Sequence, residues 1–228
     1  MTAINKLIYW DIDGTLLHCG SDGRKALNRT FLEMYDIEDA FGSSNIGGSM
    51  DSMILGGIME SHSIEKNRLP DIINHYSKVL ADILEKNKNK RVLPGIREIL
   101  EKVHSSCVAV NGLLTSNLRI GAMTKLESLD LDGYFDIGGF GDDPGEKWDA
   151  ARISIREAEE KYKAAFGKDN TYLIGDSTYD VLCAKKVGMT SIAVGTGWSD
   201  ENSLMVCEPD YYFTDLGKID QVLGVLGV

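Results

Sequence analysis

Short apolar runs alternate with longer helical patterns along this chain, and that alternation restricts it to the α/β class. Residues 7–10, 107–114, 136–140, 171–174 and 190–194 read as strands of a buried parallel sheet, with 211–213 as an edge strand. Asn111-Gly112 interrupts the second run with a hairpin signal. Too few residues flank the pair for two strands, so a single strand ending at Thr115 is expected. Core helices are expected from Ile96 onward and over 121–129, 147–166 and 179–186.

The first strand is followed by a long stretch of a different kind. Residues 17–91 carry no clear strand and read as three helices. Asp22 is placed to cap the first, over 24–35, and Asp51 the second, running towards Glu60. Pro70 suits the first turn of the third. That helix lines up Ile72, Tyr76, Val79, Leu80, Ile83 and Leu84 on one face. The expected organisation is a Rossmann-like parallel sheet core, residues 1–16 and 92–228, with a helical cap, 17–91, inserted after the first strand.

Charge and cysteine usage narrow the function. A formal net charge of -11 disfavours non-specific binding to nucleic acid or an anionic membrane. Cys19, Cys107, Cys183 and Cys207 form no CxxC pair or zinc pattern, so reduced thiols are expected. No apolar run approaches the roughly 20 residues that span a bilayer, and the first residues lack a signal-peptide core. The expectation is a cytoplasmic protein, monomer or homodimer.

The chemistry lies at the ends of the strands. Asp11-Ile12-Asp13-Gly14-Thr15 follows the first run, Thr115-Ser116-Asn117 the second, and Asp176 and Asp180 the fourth, while Lys147 opens a long helix. In an open parallel sheet such edges converge on one crevice. One carboxylate there can attack an electrophile and another can move a proton. Several together repel unless a cation neutralises them, and hard oxygen donors without His or Cys suit Mg²⁺.

In order and character these clusters resemble the haloacid dehalogenase-like hydrolase superfamily, particularly phosphoglycolate phosphatase-like and β-phosphoglucomutase-like members with a helical cap. Asp11–Thr15 resembles the first motif, Leu113–Asn117 the second, Lys147 the third and Gly175–Asp180 the fourth; Arg152 is the alternative for the third. Gly47-Gly48-Ser49-Met50-Asp51 is similar to a substrate-facing cap loop, although Met50 stands where Thr is frequent and Ser116 where many relatives have Gly.

The resemblance implies that Asp11 is the nucleophile, forming an aspartyl-phosphate, and that Asp13 is the acid and base. It implies phosphoryl contacts from Thr115 and Lys147, and substrate binding by Ser116, Asn117 and Asp51 as well. Mg²⁺ would bind Asp11, the Asp13 carbonyl, Asp176 and Asp180, the last directly or through water. The implied activity is hydrolysis of a small phosphorylated metabolite, phosphoglycolate-like or a sugar phosphate. A sugar-phosphate mutase and a non-enzymatic phosphate-binding protein are the alternatives. A phosphonate hydrolase would need an imine-forming cap lysine, and none lies near Asp51 before Lys66.

Overall fold

The computed structural model describes residues 4–41 and 49–228. Its strands are β1 (Lys6–Trp10), β2 (Leu17–His18), β3 (Arg91–Val92), β4 (Ala109–Leu114), β5 (Ile137–Gly139), β6 (Thr171–Gly175), β7 (Thr190–Val194) and β8 (Tyr211–Phe213). Its helices are α1 (Asp22–Tyr35), α2 (Asp51–Ser61), α3 (Leu69–Lys86), α4 (Ile96–His104), α5 (Arg119–Glu127), α6 (Lys147–Tyr162), α7 (Thr178–Val187), α8 (Glu201–Val206) and α9 (Ile219–Leu226).

Six strands form one parallel sheet in the order β5-β4-β1-β6-β7-β8. Helices on both faces explain why the inner strands are apolar throughout rather than alternating. Leu7 and Tyr9 of β1 pack with Ala150, Ala158 and Cys183, from α6 and α7. Ile8 and Trp10 point the other way, into a cluster with Ile99, Val103 and Val222. The expected α/β sheet is therefore observed.

The Asn111-Gly112 pair lies inside β4, and both residues are fully enclosed. The Asn111 side chain accepts from Trp10 Nε1 at 2.9 Å and donates to the Leu100 carbonyl at 3.3 Å, which satisfies a buried amide. A β-carbon on Gly112 would lie 2.8 Å from the Tyr9 ring, so glycine admits the neighbouring aromatic.

Helices α1, α2 and α3 fill the stretch between β2 and β3. The face of α3 that buries Ile72, Tyr76, Val79, Leu80 and Leu84 is the one its spacing predicts. Several local expectations are corrected. Residues 17–91 do contain strand: Leu17 pairs with Val92 and His18 with Arg91 in an antiparallel ribbon where the helical segment leaves and rejoins the sheet domain. Two-residue strands carry too little pattern to be read from sequence.

Asp22 does not cap α1. It lies inside the helix, where its carboxylate accepts from Lys25 and from Asn87, the latter just beyond α3. Asp51 is the first residue of α2, whose N-cap is Met50. Helix α6 stops at Tyr162, short of 166, because Lys163 turns left-handed (φ 54°). Helices α8 and α9 had no counterpart in the sequence reading. Among the described residues, no helix is long and apolar enough to cross a membrane.

Candidate active site

The strand order reverses about β1, whose neighbours β4 and β6 lead the chain to opposite edges. A crevice opens at the carboxyl ends of strands at such a switch point. Asp11, Thr115 and Asp176 each follow one of these three strands and so reach the same place. They line a cleft of about 260 Å³ together with Asp13 and Lys147.

Three carboxylates meet there. Oxygens of Asp11, Asp176 and Asp180 all lie within 4.8 Å of one another, and all three residues are buried. Lys147, at the start of α6, is 7% exposed and donates to Asp11 Oδ1 at 2.9 Å and to Asp180 Oδ1 at 2.6 Å. The other oxygen of Asp180 accepts from the Ser177 N–H at 3.1 Å and from its hydroxyl, forming the capping box of α7. One side chain thus starts a helix and anchors the lysine.

One ammonium does not balance three carboxylates. Burial pushes the Asp11 carboxyl up to about 6; Lys147 opposes the rise and Asp180 adds to it. Burial, then repulsion from Asp11 and Asp180, lifts Asp176 further, to about 8. Burial alone would depress Lys147, but Asp11 and Asp180 hold it above its usual value. Surplus negative charge on hard oxygens is the donor set that fits Mg²⁺.

Backbone shape places Asp176. Gly14 is left-handed (φ 86°), and a β-carbon on it would lie 2.7 Å from the Asp176 carboxyl group. Gly197 comes closer still: any β-carbon there would overlap Asp176 Oδ2. The Trp198 N–H donates to that oxygen at 3.2 Å, and Thr196 Oγ1 to the Gly14 carbonyl at 2.6 Å. The loop following β7 is therefore a wall of the site. Its Trp198 ring is 74% exposed and lies 5.7 Å from the ring of His18.

A second polar network surrounds Asp13. Asn117 Nδ2 donates to Asp13 Oδ2 at 2.9 Å and to Thr115 Oγ1 at 2.8 Å. Lys125, on α5, donates to the same Asp13 oxygen and to Asn117 Oδ1 at 2.7 Å. Beyond Asp13 lies a cavity of about 350 Å³, walled by Leu27, Phe41, Ile54, Tyr76 and Trp198. The expected substrate contacts of Asn117 are thus accompanied by bonds within the protein.

Comparison with known proteins shows the origin of this arrangement. The family model described as haloacid dehalogenase-like hydrolase matches residues 8–194. The chain belongs to this family. A phosphoglycolate phosphatase of Vibrio cholerae is 23% identical over 223 residues, covering 96% of each chain. A 5'-nucleotidase of Pseudomonas aeruginosa is 26% identical over 226 residues, covering 95% of this chain and 94% of its own. The structure of CbbY from Rhodobacter sphaeroides in complex with phosphate shares the fold with a TM-score of 0.72 at 15% identity, over 99% of this chain and 100% of that one. The protein is an enzyme of the haloacid dehalogenase-like family, a hydrolase whose full-length relatives include phosphatases.

Against that family, the placement of the expected residues is plain. Asp11, Asp13, Thr115, Ser116, Asn117, Lys147, Asp176 and Asp51 all line the one cleft, with Asp180 just behind it on Lys147. Arg152 is elsewhere: it is exposed and pairs with Asp149 at 3.1 Å. Arg119, another neighbour of the second motif, stacks on Phe140 at 3.9 Å. Asp51 accepts from the Leu118 N–H at 3.1 Å, while its own N–H donates to the Ser116 carbonyl at 2.9 Å. It thereby fastens α2 to the second-motif loop. Gly47 and Gly48 of the expected cap loop lie outside the described residues.

Lys125 is a charged residue beside the site that sequence reasoning missed. A signal was present: it sits among Gly121, Ala122 and Leu126 on the buried face of α5. A lysine on such a face has a partner to neutralise it.

Proposed function

We propose that this enzyme is a Mg²⁺-dependent phosphatase that hydrolyses a small phosphomonoester through an aspartyl-phosphate on Asp11. The observation that carries this reading is the pairing of Asp11 with Lys147 at 2.9 Å while Asp13, two residues on, is held at the same cleft by Asn117. A binding protein has no use for a buried carboxylate nucleophile beside a second, more accessible carboxylate.

In this reading an oxygen of Asp11 attacks phosphorus and the ester oxygen departs with a proton from Asp13. Asp13 then takes a proton from the water that hydrolyses the acyl phosphate. Thr115 and Lys147 contact the phosphoryl oxygens, and Lys147 offsets their charge beside Asp11. Asp11, Asp176 and the Asp13 carbonyl would hold Mg²⁺, with Asp180 in support. When bound, Mg²⁺ supplies charge neutralisation for an anionic nucleophile approaching an anionic phosphate.

The helical segment 17–91 acts as a cap over the leaving group. The cleft of about 260 Å³ and the adjoining cavity of about 350 Å³ suit a phosphoglycolate-like or sugar-phosphate ester rather than a polymer. The names of the Vibrio and Pseudomonas relatives agree with phosphomonoester chemistry.

The test is phosphate release from a panel of small phosphomonoesters, with Mg²⁺ and with chelator, using the Asp11→Asn protein as control. Mg²⁺-dependent release that this protein loses is the expected result. No release from folded wild-type protein on any ester rejects the reading.

A further inference from the structure

Lys125 is the buried charged group nearest the site that the proposed chemistry leaves unused. It is 4% exposed, while the Asp13 side chain it bonds is 33% exposed. Such a pair is a poor source of stability, since one solvated partner does not return the desolvation cost of burying an ammonium. Its geometry suits orientation instead. Lys125 and Asn117 both donate to Oδ2 of Asp13, and Lys125 also donates to Asn117 Oδ1, closing a triangle. Among the described residues, Asp13 Oδ1 accepts no hydrogen bond, so the clamp holds one oxygen and leaves the other for chemistry.

The clamp is rigid at its base. Ala122 and Leu126 hold α5 in the core, and Lys125 reaches Asp13 from that fixed helix. The contact also reaches the helical segment: a β-carbon on Gly23 of α1 would lie 3.4 Å from Lys125 Nζ. Lys125 lines the cavity beyond Asp13, on the side where the leaving group would lie.

We propose that Lys125 is a positioning residue: with Asn117 it fixes Oδ2 of Asp13, so that the free oxygen delivers its proton to the departing ester oxygen. The proposal rests on the phosphatase reading above. The reaction it serves balances simply. The Asp11 oxygen–phosphorus bond forms, the phosphorus–ester oxygen bond breaks, and the Asp13 proton ends on the alcohol.

The requirement for that proton depends on the leaving group, which a general structural role does not. Alkoxides need it; p-nitrophenolate does not. The experiment compares kcat/KM of Mg²⁺-loaded wild type, Lys125→Met and Lys125→Gln on an alkyl phosphomonoester from the panel and on p-nitrophenyl phosphate. This ratio reports phosphorylation of Asp11 and is blind to the later hydrolysis step.

Loss of a well-placed general acid costs about 10²–10⁴-fold, so Lys125→Met should lose at least about tenfold on the alkyl ester and no more than about threefold on the aryl ester. Lys125→Gln keeps a donor and should recover part of the alkyl-ester loss. If Lys125→Met does not fold, the same comparison on Lys125→Gln decides. Equal losses on both esters, or none on either, overturn the positioning role. A wild type that turns over neither ester overturns the phosphatase reading itself, and this inference with it.

Discussion

Asp180 accepts a hydrogen bond from Lys147 Nζ at 2.6 Å, and through it the start of α7 is tied to the start of α6. The lysine is thereby aimed at Asp11 by a carboxylate that is itself locked as a helix cap. Removing the lysine would leave its two partners buried without a counter-charge.

Lys147→Met is therefore expected to destabilise the metal-free protein by about 3–5 kcal/mol. Turnover should fall by at least about 10²-fold, as when a transition-state donor is deleted. Arg152→Ala should keep turnover within about twofold, because the exposed Arg152–Asp149 pair is worth little. Urea unfolding and phosphate release on the two proteins check this. Comparable losses from both would reject the special standing of Lys147.

The carboxylate cluster predicts a crossing of stabilities. Burial and its neighbours disfavour the Asp176 anion, so above about pH 8, where that carboxyl ionises, Asp176→Asn without metal should melt above wild type, by roughly 2–4 °C for each 1 kcal/mol of relief in a chain of this size. Saturating Mg²⁺ should raise the wild-type melting temperature and barely move the variant. Calorimetry with Mg²⁺ and with chelator decides; a variant stabilised by Mg²⁺ as much as wild type would count against Asp176 as a ligand.

Gly197 is a position where a single methyl group should reach the proposed Mg²⁺ site. Its β-carbon would overlap the Asp176 carboxylate, which must then move. Gly197→Ala is expected to raise the Mg²⁺ concentration for half-maximal activity by about tenfold, the scale on which outer groups tune a metal. Gly133→Ala, where a β-carbon meets nothing, serves as the control and should leave the metal titration unchanged.

Asp51 gives the fold a pH dependence. Burial lifts its carboxyl from 3.8 to about 6, against the pull of Lys125 and the Leu118 N–H. The folded state then binds the proton more tightly than the unfolded chain does. The contribution is fully present below about pH 4 and is lost as pH rises through 6. Asp51→Asn keeps an acceptor for Leu118 and lacks the titration. Its melting temperature relative to wild type should climb between pH 4 and 6 and then level off. A difference that stays constant across this range would exclude the effect.

The strands and the main helices were legible because period and apolar content are local properties: the face of α3 and the runs in β1, β6 and β7 are written in consecutive residues. The gathering of these side chains was legible, because Asp11, Thr115 and Asp176 each follow an apolar run and a parallel sheet leaves its strand ends on one edge. What was not legible depends on approach between distant segments. The β2–β3 ribbon joins residues more than seventy positions apart over two pairs. The choice of Lys147 over Arg152 turned on which side chain the first turn of α6 points at Asp11.

Lys125 and Gly197 mark the boundary most clearly. By itself the sequence determined the α/β class, the order of the motifs and the charge inventory of the crevice. Tertiary structure alone decided that a lysine ten residues past Thr115 lies against Asp13, and that a glycine twenty-one residues past Asp176 makes room for its carboxylate. Hydrogen bonds and steric overlap act over a few ångströms in space, and no spacing along the chain encodes them.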